Sequence, residues 1–189
     1  MREFTLSHGC MFAGKTTKLI GLYNESPFLS DEKLVVKPLL DKRYNASRIN
    51  SHGGLQMLAH RISKAEEIYP LLTDTTKEVY IDEVQFMGPF VIEVIGEIMM
   101  NNIHVIAAGL DKDYMARDFG PMASLKKLAT QRIEVKAQCH VCKKPANFTY
   151  REPGSDDLVV VGHADIYQAR CEEHWMQGMV GRLETTSPA

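Results

Sequence analysis

Apolar residues fall in short runs along the first two thirds of the chain, and the runs alternate between two periods. Residues 3–7 (EFTLS) and 34–36 (LVV) read as strands, the second stopped by Pro38. Residues 79–82 and 105–108 are more uniformly apolar, the texture of strands buried on both faces. Between these runs the period lengthens. Leu19, Ile20 and Tyr23 mark an expected helix over 16–24. Val91, Val94, Ile95 and Ile98 recur at helical spacing after Pro89, a residue suited to a helix start. Shorter helices are expected over 64–71 and 124–129. Residues 39–60 show no period. The stretch DKRYNASRINSHGG is polar and rich in turn formers, so it reads as one long loop, and such loops in compact domains are usually functional or disordered. Strands alternating with helices predict an α/β fold with a mostly parallel sheet.

From about residue 134 the texture changes to short strands and turns around three cysteines. The run EPGSDD reads as a loop, and the closing ETTSPA as a flexible tail. The expected organisation is an α/β domain over 1–134, a small domain over 135–180 and a tail over 181–189.

Composition narrows the class. The chain has 189 residues, 44% hydrophobic and 24% charged, which are globular values. Lys+Arg 22 against Asp+Glu 24 gives a net charge of -2, so a general basic footprint for nucleic acid is excluded. Mean hydropathy is -0.20, and no apolar run approaches the roughly 18 residues of a membrane helix. The first ten residues carry no apolar segment of the secretory kind. A soluble, cytoplasmic protein is expected, with neither nucleic acid nor membrane as a partner.

Of the 4 cysteines, Cys139 and Cys142 form a C-x-x-C, and Cys171 with His174 repeats the same spacing. Two ligand pairs joined by a longer excursion fit a tetrahedral Cys3His zinc site. The alternative is a redox C-x-x-C beside an unrelated surface histidine. His140 lies inside the knuckle and should point outward; His163 is a weaker competitor for the fourth ligand position. Cys10, far away in sequence, reads as a buried free thiol.

Gly9, Cys10, Met11, Phe12, Ala13, Gly14, Lys15 and Thr16 match the phosphate-loop pattern G-x4-G-K-[ST], with an expected strand before and helix after. Its glycines let successive N–H groups converge on phosphate oxygens at the helix N-terminus. Lys15 adds a point charge, and the Thr16 hydroxyl can reach Mg²⁺. A second signal is Asp82 with Glu83 at the end of an apolar strand, where P-loop proteins hold Mg²⁺. In an extended segment neighbours point to opposite sides, so one acid can face the metal and the other a substrate hydroxyl. On this pair alone, Glu83 is equally consistent with a solvated turn residue.

GCMFAGKTT, IDEVQF, AAGLDKDYMARDFGPM and the C-x-x-C…C-x-x-H ending together resemble the type II thymidine kinases, in order and spacing, from about Phe4 to His174. The resemblance implies a RecA-like P-loop domain with a small zinc-binding, zinc-ribbon-like domain carrying a lasso loop, assembled as a homotetramer. It implies transfer of the γ-phosphate of ATP to the 5′-hydroxyl of thymidine, and of deoxyuridine, in deoxynucleotide salvage, with Mg²⁺ accompanying ATP and Zn²⁺ as a structural ion. By that likeness Gly9 through Thr16 hold ATP, Asp82 positions Mg²⁺ and Glu83 is the general base. Asp41 and Arg43 lie near the ATP phosphates, and Gln85 continues the nucleotide site. Met11, Phe86, Leu110, Tyr114 and Phe119 line the thymine and sugar pocket; Leu158, Val159, Val160, Val161 and Gly162 belong to the lasso over the base; and Tyr167 sits near the sugar 3′-hydroxyl. Cys139, Cys142, Cys171 and His174 hold zinc.

The chain departs from the family pattern at Cys10, where Pro is frequent, at Ala116, where Gly is, and at Asp118, where Pro is. A P-loop ATPase whose zinc ribbon binds nucleic acid or protein is the rival class. Mild acidity, the acid pair and the lack of interleaved basic and aromatic residues around the cysteines weigh against it. Metal removal is expected to weaken thymidine binding far more than Mg-ATP binding, because the phosphate loop lies far upstream on a sheet with its own core.

Overall fold

A computed structural model describes residues 3–39, 48–50, 56–152 and 166–186. Along the chain come β1 (Phe4–Gly9), α1 (Lys15–Glu25), β2 (Lys33–Pro38), β3 (Arg48–Asn50), β4 (Gln56–Leu58), β5 (His60–Ile62), β6 (Glu78–Ile81), α2 (Val91–Met100), β7 (His104–Leu110), α3 (Met122–Leu128) and β8 (Gln131–Glu134). Six of these strands form one sheet in the order β5-β2-β6-β7-β1-β8, with every pairing parallel. The α/β reading with a mostly parallel sheet therefore holds.

Period-two alternation sorts the strand residues into two layers. Phe4, Leu6, Leu34, Val36, Val79, Ile81, Val105 and Ala107 pack beneath Val91, Val94, Ile95 and Ile98 of α2 and Met122 and Leu125 of α3. The intervening Val35, Tyr80, Ile106 and Ala108 pack against Leu19 and Ile20 of α1. Each fully buried aliphatic side chain contributes about 1.5–3 kcal/mol, so the sheet has an ample core on both faces. The carboxyl ends of β1, β6 and β7 all open toward the start of α1, where open parallel sheets hold their ligands.

The stretch 39–60, expected to be one loop, contains β3 and β4, paired antiparallel with Ile49 opposite Met57. Both of those side chains are buried in the α1-side cluster. Three-residue strands are too short to show a period, and only their burial against α1 defines them. The element over Ala65–Leu71 is a 3₁₀ helix with Pro70 inside it. Proline supplies no backbone N–H to extend an α ladder.

Beyond β8 follow β9 (Ala137–Gln138), β10 (Pro145–Ala146), β11 (Phe148–Arg151), β12 (Tyr167–Arg170) and α4 (Glu172–Thr186). β9 pairs with β10 and β11 with β12, both antiparallel. Helix α4 continues to Thr186, through most of the stretch read as a flexible tail. Tertiary contacts anchor its middle turns. Gly178 lets α4 lie against Tyr150, whose ring atom would be 2.5 Å from an added Cβ, and Arg182 Nη1 donates to the Arg151 carbonyl at 2.8 Å.

Candidate active site

The phosphate loop is shaped by close approach and by left-handed backbone. An added Cβ on Gly9 would collide with the Val135 carbonyl oxygen, so β8's exit requires glycine there. Gly14 has φ 82° and caps α1, and Phe12 is also left-handed, with φ 63°. Lys15 is buried, and its Nζ donates to the Cys10 carbonyl at 2.7 Å, folded back under the loop. Burial pushes its pKa down, against the acids Glu83, Asp82 and Asp111 nearby.

Asp82 follows β6 and is buried; its oxygens accept from the Thr16 hydroxyl at 3.3 and 3.4 Å. Desolvation, then the neighbouring Glu83 carboxylate, push its pKa up to about 7. The Asp82 carboxylate and the Thr16 hydroxyl are hard oxygen donors that could hold a divalent cation, and the Lys15 charge nearby offsets the rise in the Asp82 pKa only in part. Glu83 points differently, but not because the segment is extended. Its backbone is left-handed at φ 52°, ψ 41°, and it lines the cleft while Asp82 accepts from Thr16. Met11, Phe12, Gly14, Lys15, Thr16, Glu83 and Leu110 line one cleft together with Thr17.

Gln85 is only 3% exposed. Its Nε2 donates to Glu83 Oε2 and its Oε1 accepts from the Leu110 N–H at 3.0 Å. Phe86 and Phe119 meet edge to face at 5.2 Å between ring centroids. Tyr114 is buried under the Arg151 guanidinium, 3.9 Å from its ring centroid, and its carbonyl accepts from Trp175 Nε1 at 3.1 Å. Tyr167 stands opposite Arg151 across the β11–β12 pair. Asp41, Arg43, Leu158, Val159, Val160, Val161, Gly162 and His163 lie outside the described residues.

Several residues beyond the expected site residues shape the site. Asp113 builds the loop after β7: its Oδ1 accepts from the N–H groups of Met115 and Arg117 at 2.8 and 3.0 Å, and its Oδ2 pairs with the Arg117 side chain. Ala116 in that loop has φ 61°, a conformation suited to the Gly frequent at this position. Asp111 is buried, and although burial raises its pKa, the His8 ring and Lys126 hold it below the usual carboxylate range.

The side-chain donor atoms of Cys139, Cys142, Cys171 and His174 all lie within 4.8 Å of one another. Cys142 and Cys171 sulfurs are 3.8 Å apart, and Cys139 Sγ is 3.7 Å from His174 Nδ1. A tetrahedron with Zn–S near 2.3 Å has edges of about 3.8 Å, so the set could hold a metal ion such as zinc. Burial raises the Cys139 pKa, but the N–H groups of Cys142, Cys171 and Val141 outweigh it and bring the thiol to about 6, toward the ligating thiolate. His140 is exposed, as expected of a residue inside the knuckle.

Cys10 is buried as expected, but it is not remote from these sulfurs. It shares one apolar cluster with Ala137, Cys139, Ala146 and Ala169, against which Phe12, Ala13, Cys142 and Cys171 pack. Its Sγ donates to the Ala146 carbonyl at 3.3 Å, and the Met11 N–H donates to Thr149 Oγ1 at 3.1 Å. The knuckle is thus the outer wall of the phosphate loop.

Among the described residues, no helix is long and apolar enough to cross a membrane. The family model "Thymidine kinase" matches residues 2–175. A thymidine kinase of Bdellovibrio bacteriovorus is 38% identical over 184 aligned residues, spanning 93% of this chain and 90% of the relative.

Proposed function

The chain belongs to the thymidine kinase family, and from that premise we propose that it transfers the γ-phosphate of ATP to the 5′-hydroxyl of thymidine, and of deoxyuridine. The observation that carries this reading is the meeting of Lys15, Thr16, Glu83 and Leu110 in one cleft, with Asp82 on the Thr16 hydroxyl. Phosphoryl transfer needs positioning and charge compensation more than covalent chemistry. The loop amides and Lys15 would hold the ATP phosphates, with Lys15 leaving the Cys10 carbonyl for the nucleotide. Thr16 and Asp82 would hold Mg²⁺, which supplies charge neutralisation at the transferring group. Glu83 would accept the proton of the 5′-hydroxyl. Leu110, Met11, Phe86 and Phe119 would form the apolar slot for the base, with Tyr114 and Tyr167 on the sugar side, and 158–162 closing over it. Asp41 and Arg43 would reach the phosphates from the 41–47 stretch.

Cys139, Cys142, Cys171 and His174 would hold structural Zn²⁺. The same proposal includes a 1–134 ATP-binding unit joined to a 135–180 metal-binding unit, homotetramer assembly and a cytoplasmic location. Light scattering measures the assembly.

The deciding experiment is Glu83→Gln assayed with thymidine, ATP and Mg²⁺. We expect kcat to fall by about 10²–10⁴-fold, the usual worth of general base catalysis, with both substrates still bound. Full kcat in this variant would refute the assignment of the base.

A further inference from the structure

We propose that Gln85 is a positioning residue that holds the Glu83 carboxylate in its reactive orientation, an inference that rests on Glu83 being the base. Likeness to the family implies that Gln85 belongs to the nucleotide site. Its side chain is buried, and both ends of its amide are engaged: Nε2 donates to Glu83 Oε2, and Oε1 accepts from the Leu110 N–H at 3.0 Å. The order of those two ends follows from chemistry. A backbone N–H only donates and a carboxylate only accepts, so the amide oxygen must face Leu110 and the amide nitrogen must face Glu83. The bridge therefore ties Glu83 to the end of β7, the strand whose last residue shares its cleft.

The surroundings are built around this amide. Gly109 shows no left-handed backbone, yet an added Cβ would lie 2.7 Å from Gln85 Oε1 and 2.9 Å from Val84 Cγ1. A Cβ on Gly120 would lie 2.5 Å from the Gln85 carbonyl oxygen. Gly109 leaves the space that the Gln85 amide fills, and Gly120, left-handed at φ 53°, lets the next loop close on the Gln85 main chain. Glu83 needs such support. It is a non-glycine residue with φ 52°, and a free glutamate side chain samples many rotamers. A carboxylate that must meet a hydroxyl proton within hydrogen-bond reach loses rate steeply when it wanders, by about 10²-fold for a misplacement near 1 Å.

The test is a double-mutant cycle on purified enzyme, with kcat, both KM values and the melting temperature measured for every variant. Gln85→Met keeps the volume and removes both hydrogen bonds. Gln85→Glu, assayed at alkaline pH, keeps the acceptor for Leu110, removes the donor to Glu83 and sets a second carboxylate against it. Each should lower kcat by about 10- to 100-fold, with KM for thymidine and for ATP within about two-fold of the parent. In a Glu83→Gln background, adding Gln85→Met should cost less than about two-fold more, because residues acting as a unit are non-additive. Equal losses in both backgrounds, or a full kcat in Gln85→Glu, would overturn the positioning role while leaving Glu83 as the base. Should Glu83→Gln itself keep full kcat, the base assignment falls and this inference falls with it.

Discussion

Removing the metal ion proposed for the Cys139, Cys142, Cys171 and His174 cluster should weaken Mg-ATP binding as well as thymidine binding. The chain order suggested otherwise, since the phosphate loop is remote from the cysteines in sequence and sits on a sheet with its own core. The packing favours coupling of the two sites. Among the described residues the apolar cluster around the sulfurs is small: Cys10, Ala137, Ala146 and Ala169 are buried beside Cys139, with Phe12, Ala13, Cys142 and Cys171 packed against it. Three alanine methyls are worth about 2–3 kcal/mol, against about 10–16 kcal/mol for a structural zinc ion near neutral pH. Without metal the knuckle has little to hold it. The phosphate loop then loses the bonds from Cys10 Sγ to the Ala146 carbonyl and from the Met11 N–H to Thr149 Oγ1. At about 0.5–1.5 kcal/mol each, these bonds contribute about 1–3 kcal/mol to the loop's conformation. That corresponds to a roughly 5- to 150-fold loss of Mg-ATP affinity. Thymidine should lose at least as much. His174 and Trp175 share the first turns of α4, and Trp175 is bonded to the Tyr114 carbonyl. Calorimetry of chelator-treated protein and of Cys142→Ser would measure both ligands on one preparation, with light scattering to detect aggregation. Unchanged Mg-ATP affinity in a metal-free, monodisperse sample would refute the coupling, and unchanged thymidine affinity would refute the α4 brace.

Asp82→Asn should flatten the pH dependence of stability in the ligand-free protein. Because its folded pKa of about 7 exceeds the unfolded 3.8, the native state binds the extra proton between those values. Asp82 therefore makes stability fall as pH rises through that window. Melting temperatures from pH about 4 to about 8 test this, and a parallel decline in Asp82→Asn would contradict it. Gly109→Ala should destabilise by about 1–3 kcal/mol, the usual cost of overpacking, since its Cβ would meet Gln85, Val84 and Met122 at 2.7–3.2 Å; an unchanged urea midpoint would show that the site yields. Thymidine and deoxyuridine should be phosphorylated and purine nucleosides should not, since the apolar slot proposed for the base is expected to suit a single ring. Comparable rates on deoxyadenosine would refute that.

Much of this protein is legible in one dimension. Sheet strands and α1 follow from periods that act locally, so Val79 to Ile81 and Leu19 with Ile20 identify themselves. The phosphate loop and the metal set are also local, because a turn of a few residues is enough to converge amides on a phosphate or two sulfurs on an ion. Tertiary structure decided what depends on neighbours distant in sequence. Ile49 and Met57 form strands only because α1 covers them. Helix α4 runs on to Thr186, into the ETTSPA stretch that alone suggested a tail, with Gly178 on Tyr150 and Arg182 on the Arg151 carbonyl in the turns before it. Gly109 reads as a strand glycine of no particular use until Gln85 is seen occupying its Cβ position. Cys10, 129 positions before Cys139 in the numbering, packs on the metal knuckle because β8 carries the chain back beside β1. A period can report which face of an element is buried; only the fold determines which residues meet there.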